Sequence, residues 1–204
     1  MKYYEDKIDK TSKISIILLM IVLSGIFGFI YEFIFYYFNS GMKEFCYQGG
    51  NFLPWINIYA IGSILIYILC YKYIKSPLKV FLISLISTGV LEYVSGLLIY
   101  KLGNGLRFWD YNKEILNFLN IDGFVCLRSV LFFGISGLIL MYIMIPILYN
   151  LSLKINKKTL LIISIILCSI FLIDEIYNSI ISRLFNLPNA INIYKSIGIK
   201  YTKL

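Results

Sequence analysis

The chain has 204 residues, 59% hydrophobic and only 15% charged, against roughly 45–50% and 25% in soluble domains, and this balance excludes an ordinary water-soluble core. Its net charge of +8 arises from lysines in short clusters beside apolar runs, with no basic face interleaved with aromatics, which argues against nucleic acid as a partner. There is no His, and Cys46, Cys70, Cys126 and Cys168 lack metal-ligand spacing, so neither a metal nor a cofactor is expected and the cysteines read as small hydrophobes.

In chain order, residues 1–13 form a Lys-bearing segment, and apolar windows follow at 14–38, 56–74, 78–100, 123–149 and 159–182. Each meets the length of about 20 residues that crosses a bilayer. Hydrocarbon offers backbone groups no partner, so each window is predicted to be a helix, which closes its own hydrogen bonds. The expected fold class is all-α: a polytopic membrane helix bundle of about five transmembrane helices over residues 14–182, followed by a tail at 183–204. The first window has no small-residue cleavage site and reads as a retained helix, not a signal peptide. Lys72, Lys75, Ser76, Pro77 and Lys79 separate the second and third windows, and Asn150, Lys154, Asn156, Lys157 and Lys158 the fourth and fifth.

Cytoplasmic flanks retain positive charge, which orients the chain. With the N-terminus inside, the inner flanks hold Lys2, Lys7, Lys10, Lys13, Lys72, Lys75, Lys79, Lys154, Lys157 and Lys158, while the outer loops hold Lys43, Lys101, Arg107 and Lys113. The tail adds Arg183, Lys195, Lys200 and Lys203 outside without reversing the asymmetry. The expectation is a multi-pass protein of the cell membrane, N-terminus cytoplasmic and C-terminus outside. The two longer connections, 39–55 and 101–122, then fall outside, rich in aromatics such as Phe45, Trp55, Phe108 and Trp109; such rings mark the membrane interface or segments that dip back into the bilayer. Ile-, Lys- and Asn-rich usage fits a bacterial plasma membrane.

A charge at membrane depth costs at least ~2.5 kcal/mol, so each one needs a reason. The windows contain Glu32, Glu92, Arg128, Asp174 and Glu175. Gly25, Gly28 and Glu32 share one helical stripe, and Thr88, Gly89, Glu92, Ser95 and Gly96 another; small residues at this spacing bring helices close, which points both glutamates into the bundle. Arg128, the one cation inside a window, is expected to pair with Glu32 or Glu92. These charges either lock helix register or form a polar site for a substrate, ion or proton.

Between the third and fourth windows stand Arg107, Trp109, Asp110 and Tyr111, then Asn120, Asp122 and Gly123. Four motifs in order now carry a resemblance: Gly28-Phe29-Ile30-Tyr31-Glu32, Pro54 with Tyr59, Leu91-Glu92-Tyr93, and Trp109-Asp110-Tyr111 followed by Asn120 and Gly123. Together they resemble the family of Putative ABC-transporter type IV (CmpB-like) membrane proteins, also labelled ABC transporter permeases, over roughly residues 24–178. Ala60, Asn112 and Phe133 depart from that family's usual Gly, Ser and Trp. The resemblance implies a permease or transporter subunit of unspecified substrate.

No GxxxxGK[ST] phosphate loop occurs, so an ATPase subunit would be a separate chain, and the alternative partner within the lipid bilayer is a second copy in a homo-oligomer. The candidate polar site comprises Glu32, Glu92, Arg128, Tyr31, Tyr93, Trp109, Asp110, Tyr111, Asp122 and Asp174, with no catalytic residue assigned. Absence of nucleotide-binding, His-metal and serine-hydrolase motifs favours a non-enzymatic role. The competing reading is a membrane enzyme or lipid-handling protein using Glu32, Glu92, Asp110 and Arg128 as acid, base and anion clamp.

Overall fold

The computed structural model describes residues 8–39, 43 and 45–200. Lys2, Lys7 and Lys203, counted above for orientation, lie outside them. The architecture is helical throughout: α1 (Lys10–Asn39), α2 (Asn57–Cys70) with a 3-10 turn at Tyr71–Tyr73, α3 (Pro77–Leu102), a 3-10 turn at Tyr111–Lys113, α4 (Leu127–Ile139), α5 (Ile145–Lys154), α6 (Lys157–Ile176), α7 (Ser182–Leu184) and α8 (Ala190–Ser196). Among the described residues the one strand-like feature is an isolated bridge between Ile121 and Val125.

Among the described residues, four continuous helices are long and apolar enough to cross a membrane: Lys10–Asn39, Pro77–Leu102, Leu127–Lys154 and Lys157–Leu184. The fifth expected span is shorter, an apolar helix over Asn57–Tyr73.

Local chemistry sets the ends. Asp9 opens α1 by accepting the backbone N–H groups of Thr11 at 2.9 Å and Ser12 at 3.1 Å, which satisfies donors that a helix start leaves without partners. Pro77 occupies the first turn of α3, where its missing N–H costs nothing. A π turn at Leu140–Met144 joins α4 to α5, just ahead of Pro146, whose ring disrupts the regular hydrogen-bond ladder.

The chain resolves into two units, one built from residues up to Ile61 and from Ile145 onward, the other from Gly62–Met144. In the first, α1 packs against α5 and α6, and Val22, Trp55, Ala60, Cys168 and Phe171 form the core. In the second, α3 packs along α4. A Cβ on Gly137 would fall 2.0 Å from Ser84 Oγ, and one on Gly134 would fall 2.6 Å from the Phe81 ring, so absent side chains set how closely these helices approach. Within the first unit the segment beyond α7 is anchored to the helix end before it: Ala190 is fully buried, and its N–H donates to Asn178 Oδ1 at 2.7 Å.

Candidate functional site

In the second unit the site grows from α3. Thr88, Gly89, Glu92 and Gly96 all lie buried on one stripe, and Glu92 is 4% exposed. Its two oxygens are held separately. Tyr111 donates its hydroxyl to Oε1 at 2.5 Å, and Ser129, in the first turn of α4, donates to Oε2 at 2.7 Å. A carboxylate offers about four acceptor positions, so these bonds leave capacity for another donor. Among the described residues, no cation forms an ion pair with Glu92.

Arg128 differs from the sequence expectation. Its guanidinium pairs with Glu114 and lies over the Tyr111 ring, 5.3 Å from the centroid. Glu114 is a loop residue that stacking alone would not reveal from sequence. The chain doubles back after α3, which brings Glu114 to the start of α4, so Arg128 meets this carboxylate first and leaves Glu92 to hydroxyl donors.

That doubling back is built by the loop motif itself. Trp109 donates its Nε1–H to the Phe124 carbonyl at 2.9 Å, and a Cβ on Gly96 would touch both of these side chains. Asp110 accepts the Asn112 N–H at 3.2 Å and its side-chain amide at 2.9 Å, with Arg107 at 3.5 Å and Lys113 at 3.6 Å as ion partners. Arg107 also donates to the Asp122 carbonyl at 2.9 Å and covers the Phe124 ring at 4.4 Å. Tyr93 donates to Asp122 Oδ2 at 3.1 Å. Thus Trp109, Asp110 and Asp122 build the loop, and Tyr111 alone of the Trp-Asp-Tyr triplet reaches Glu92.

The remaining expected residues belong to the first unit. Glu32 accepts the Tyr59 hydroxyl at 3.0 Å, and Tyr31 places its ring edge-on to Tyr59, centroids 6.5 Å apart. Asp174 accepts four donors: the backbone N–H groups of Phe52 at 3.0 Å and Leu53 at 2.9 Å, Trp55 Nε1 at 3.0 Å and Asn178 Nδ2 at 2.7 Å. This fills a carboxylate's capacity, and Asp174 acts as a clamp on the segment before α2. Glu175 beside it accepts Asn51 at 2.7 Å, Asn57 at 2.6 Å and Ser179 at 2.7 Å.

Sequence reasoning missed Ser129, Glu114 and the amides Asn51, Asn57 and Asn178. The signal for Ser129 was its place beside Arg128 at a helix start, and that for Asn178 its spacing of four residues from Asp174 on one helix; Asn51 and Asn57 carried none, since Glu175 is distant from both in sequence.

A family model described as Putative ABC-transporter type IV matches residues 19–179, which takes in every residue of both clusters. No curated protein and no solved structure matches the chain.

Proposed function

The chain belongs to the Putative ABC-transporter type IV family, and from that premise we propose that this membrane protein is the membrane-embedded subunit of a transporter, with a polar station centred on Glu92. The observation that carries the reading is Glu92 itself. It is buried in an apolar helix, has no ion pair among the described residues, and is held by two hydroxyls from separate segments. Charges are kept at such depth chiefly along substrate, ion or proton pathways, and Tyr111 and Ser129 keep the carboxylate oriented while acceptor capacity remains.

The proposed orientation has the N-terminus inside the bacterial plasma membrane, the lysine clusters toward the cytoplasm and the C-terminus outside. Residues 74–76 and 155–156 are then the inner connections, so a separate ATPase subunit would grip the helix ends themselves. The enzyme alternative finds less support: Asp110 is committed to ordering its own loop and Arg128 to Glu114, so neither is poised as acid, base or anion clamp.

Glu92→Gln keeps size and removes charge. With the subunit reconstituted beside its co-purified ATPase, the variant is expected to fold normally but lose most of its effect on ATP hydrolysis. Wild-type behaviour would remove Glu92 from the mechanism.

A further inference from the structure

The segment that precedes α2 runs deep along α1 and α6. The Ile56 N–H donates to the Gly25 carbonyl at 3.0 Å. Along α1, at ~1.5 Å per residue, Gly25 stands about 18 Å from Lys13 and about 21 Å from Asn39, so the contact is at mid-helix. The apolar layer of a bilayer is about 30 Å thick. A Cβ on Gly25 would meet Trp55 and Phe171 at 3.2 Å, so this glycine lets the chain come so close.

The surroundings at this level are apolar and face outward. Leu23 on α1 is 38% exposed, and Ile170 and Ile173 on α6, either side of Phe171, are 41% and 68% exposed. In water these would be a costly belt; in lipid they are the expected surface.

Non-helical backbone is tolerated at membrane depth where protein satisfies its polar groups. From Phe52 to Ile56 every backbone donor is accounted for. Phe52 and Leu53 donate to Asp174, Pro54 has no N–H, Trp55 donates to the Leu53 carbonyl at 2.8 Å and Ile56 to Gly25. The Phe52 carbonyl accepts hydroxyls from Tyr47 at 3.1 Å and Tyr194 at 2.6 Å. Trp55 buries its ring against Phe171, centroids 5.2 Å apart.

We infer that residues 46–56 are a re-entrant segment that enters the bilayer beside α1 and α6 and turns at mid-depth into α2, with Asp174 as the positioning residue that holds its apex. The inference rests on the membrane placement of the chain, but not on Glu92 or on transport. It explains why α2 is the one expected span that is short: it begins inside the bilayer. It also gives Asp174 a role as the acceptor for backbone donors that lipid cannot satisfy.

The test places a nitroxide on Leu53→Cys, a position 41% exposed, in a Cys46→Ser background reconstituted in phosphatidylcholine vesicles. Collisions with oxygen and with a water-soluble nickel chelate are compared with labels at Leu23→Cys, which faces outward within α1, and at Lys158→Cys, exposed at the start of α6. Leu53 is expected to match Leu23, with an oxygen-to-nickel ratio several-fold above that at Lys158. A Leu53 label that matches Lys158 while Leu23 stays lipid-like overturns the re-entrant segment and leaves the membrane reading standing. Water-like behaviour at both Leu53 and Leu23 overturns both.

Adding Asp174→Asn is expected to move the Leu53 label toward the aqueous profile with Leu23 unchanged; an unmoved Leu53 label removes Asp174 from its role. If the labelled variant does not reconstitute, Trp109→Phe leaves Trp55 as the sole tryptophan. Stronger quenching by lipids brominated deep in the acyl chain than by aqueous acrylamide supports the inference, and the reverse overturns it.

Discussion

Gly123 and Gly105 form a matched pair that separates backbone strain from crowding. Both adopt left-handed backbone, φ +77 and +88, where a Cβ costs roughly 1–2 kcal/mol. Their surroundings differ. A Cβ at Gly123 would lie 2.3 Å from Asn112 Nδ2, 2.5 Å from Asp110 Oδ1 and 2.6 Å from Arg107, whereas at Gly105 the nearest atom is 3.9 Å away on Tyr100. Crowding of this kind adds about 1–3 kcal/mol, so Gly123→Ala is expected to lose roughly 2–5 kcal/mol and Gly105→Ala only about 1–2 kcal/mol.

The Gly123 carbonyl also accepts the Tyr111 N–H at 3.0 Å, so the damage propagates to the residue that holds Glu92. Thermal unfolding in mild detergent, followed through Trp109 fluorescence in a Trp55→Phe background, reads the difference; for a chain of this length each kcal/mol moves the midpoint by about 2–4 °C. Equal losses for the two variants would refute the view that the packed Arg107–Asp110–Asn112 cluster builds this loop.

Further expectations follow from individual contacts. Tyr111→Phe removes one of two hydroxyls on Glu92 and is expected to cost about 0.5–3 kcal/mol, the span for hydrogen bonds to neutral and charged groups, in the same unfolding assay; no loss would mean that the contact is idle. Gly28→Ala would drive a Cβ to 2.1 Å from the Tyr59 ring; it is expected to cost about 1–3 kcal/mol in the wild-type chain and less when introduced into a Tyr59→Ala background, where the ring it strikes is gone. The Asp9 carboxyl is held well below its ordinary range, first by its bond to Lys157 and then by the Ser12 N–H. A depressed carboxyl stabilises the fold above its unfolded pKa and loses that contribution as pH falls through the folded value. Asp9→Asn is therefore expected to flatten the loss of stability below about pH 4, and an unchanged acid limb would contradict the pairing.

Much of the fold was legible because apolar length dictates helices in a bilayer, and Glu92 was legible because Thr88, Gly89 and Gly96 share its stripe. The partner of Arg128 was not. Glu114 lies outside every apolar window, and its position depends on a loop whose path uses left-handed backbone at Leu116, Leu119 and Asp122, conformations that residue type alone rarely announces. Asp174 looked like a site residue because depth makes a carboxylate conspicuous. Two of its four partners are backbone N–H groups, which no pattern of side chains displays. The window at 56–74 showed the apolar content of α2 but not the level at which that helix begins, since hydropathy records length and not depth.

The most direct test of the transporter account is affinity purification of the tagged chain from mild detergent, with mass spectrometry of the chains and lipids that accompany it. The account predicts an ATPase subunit in fixed ratio; recovery of a bound lipid or headgroup with no ATPase would contradict it.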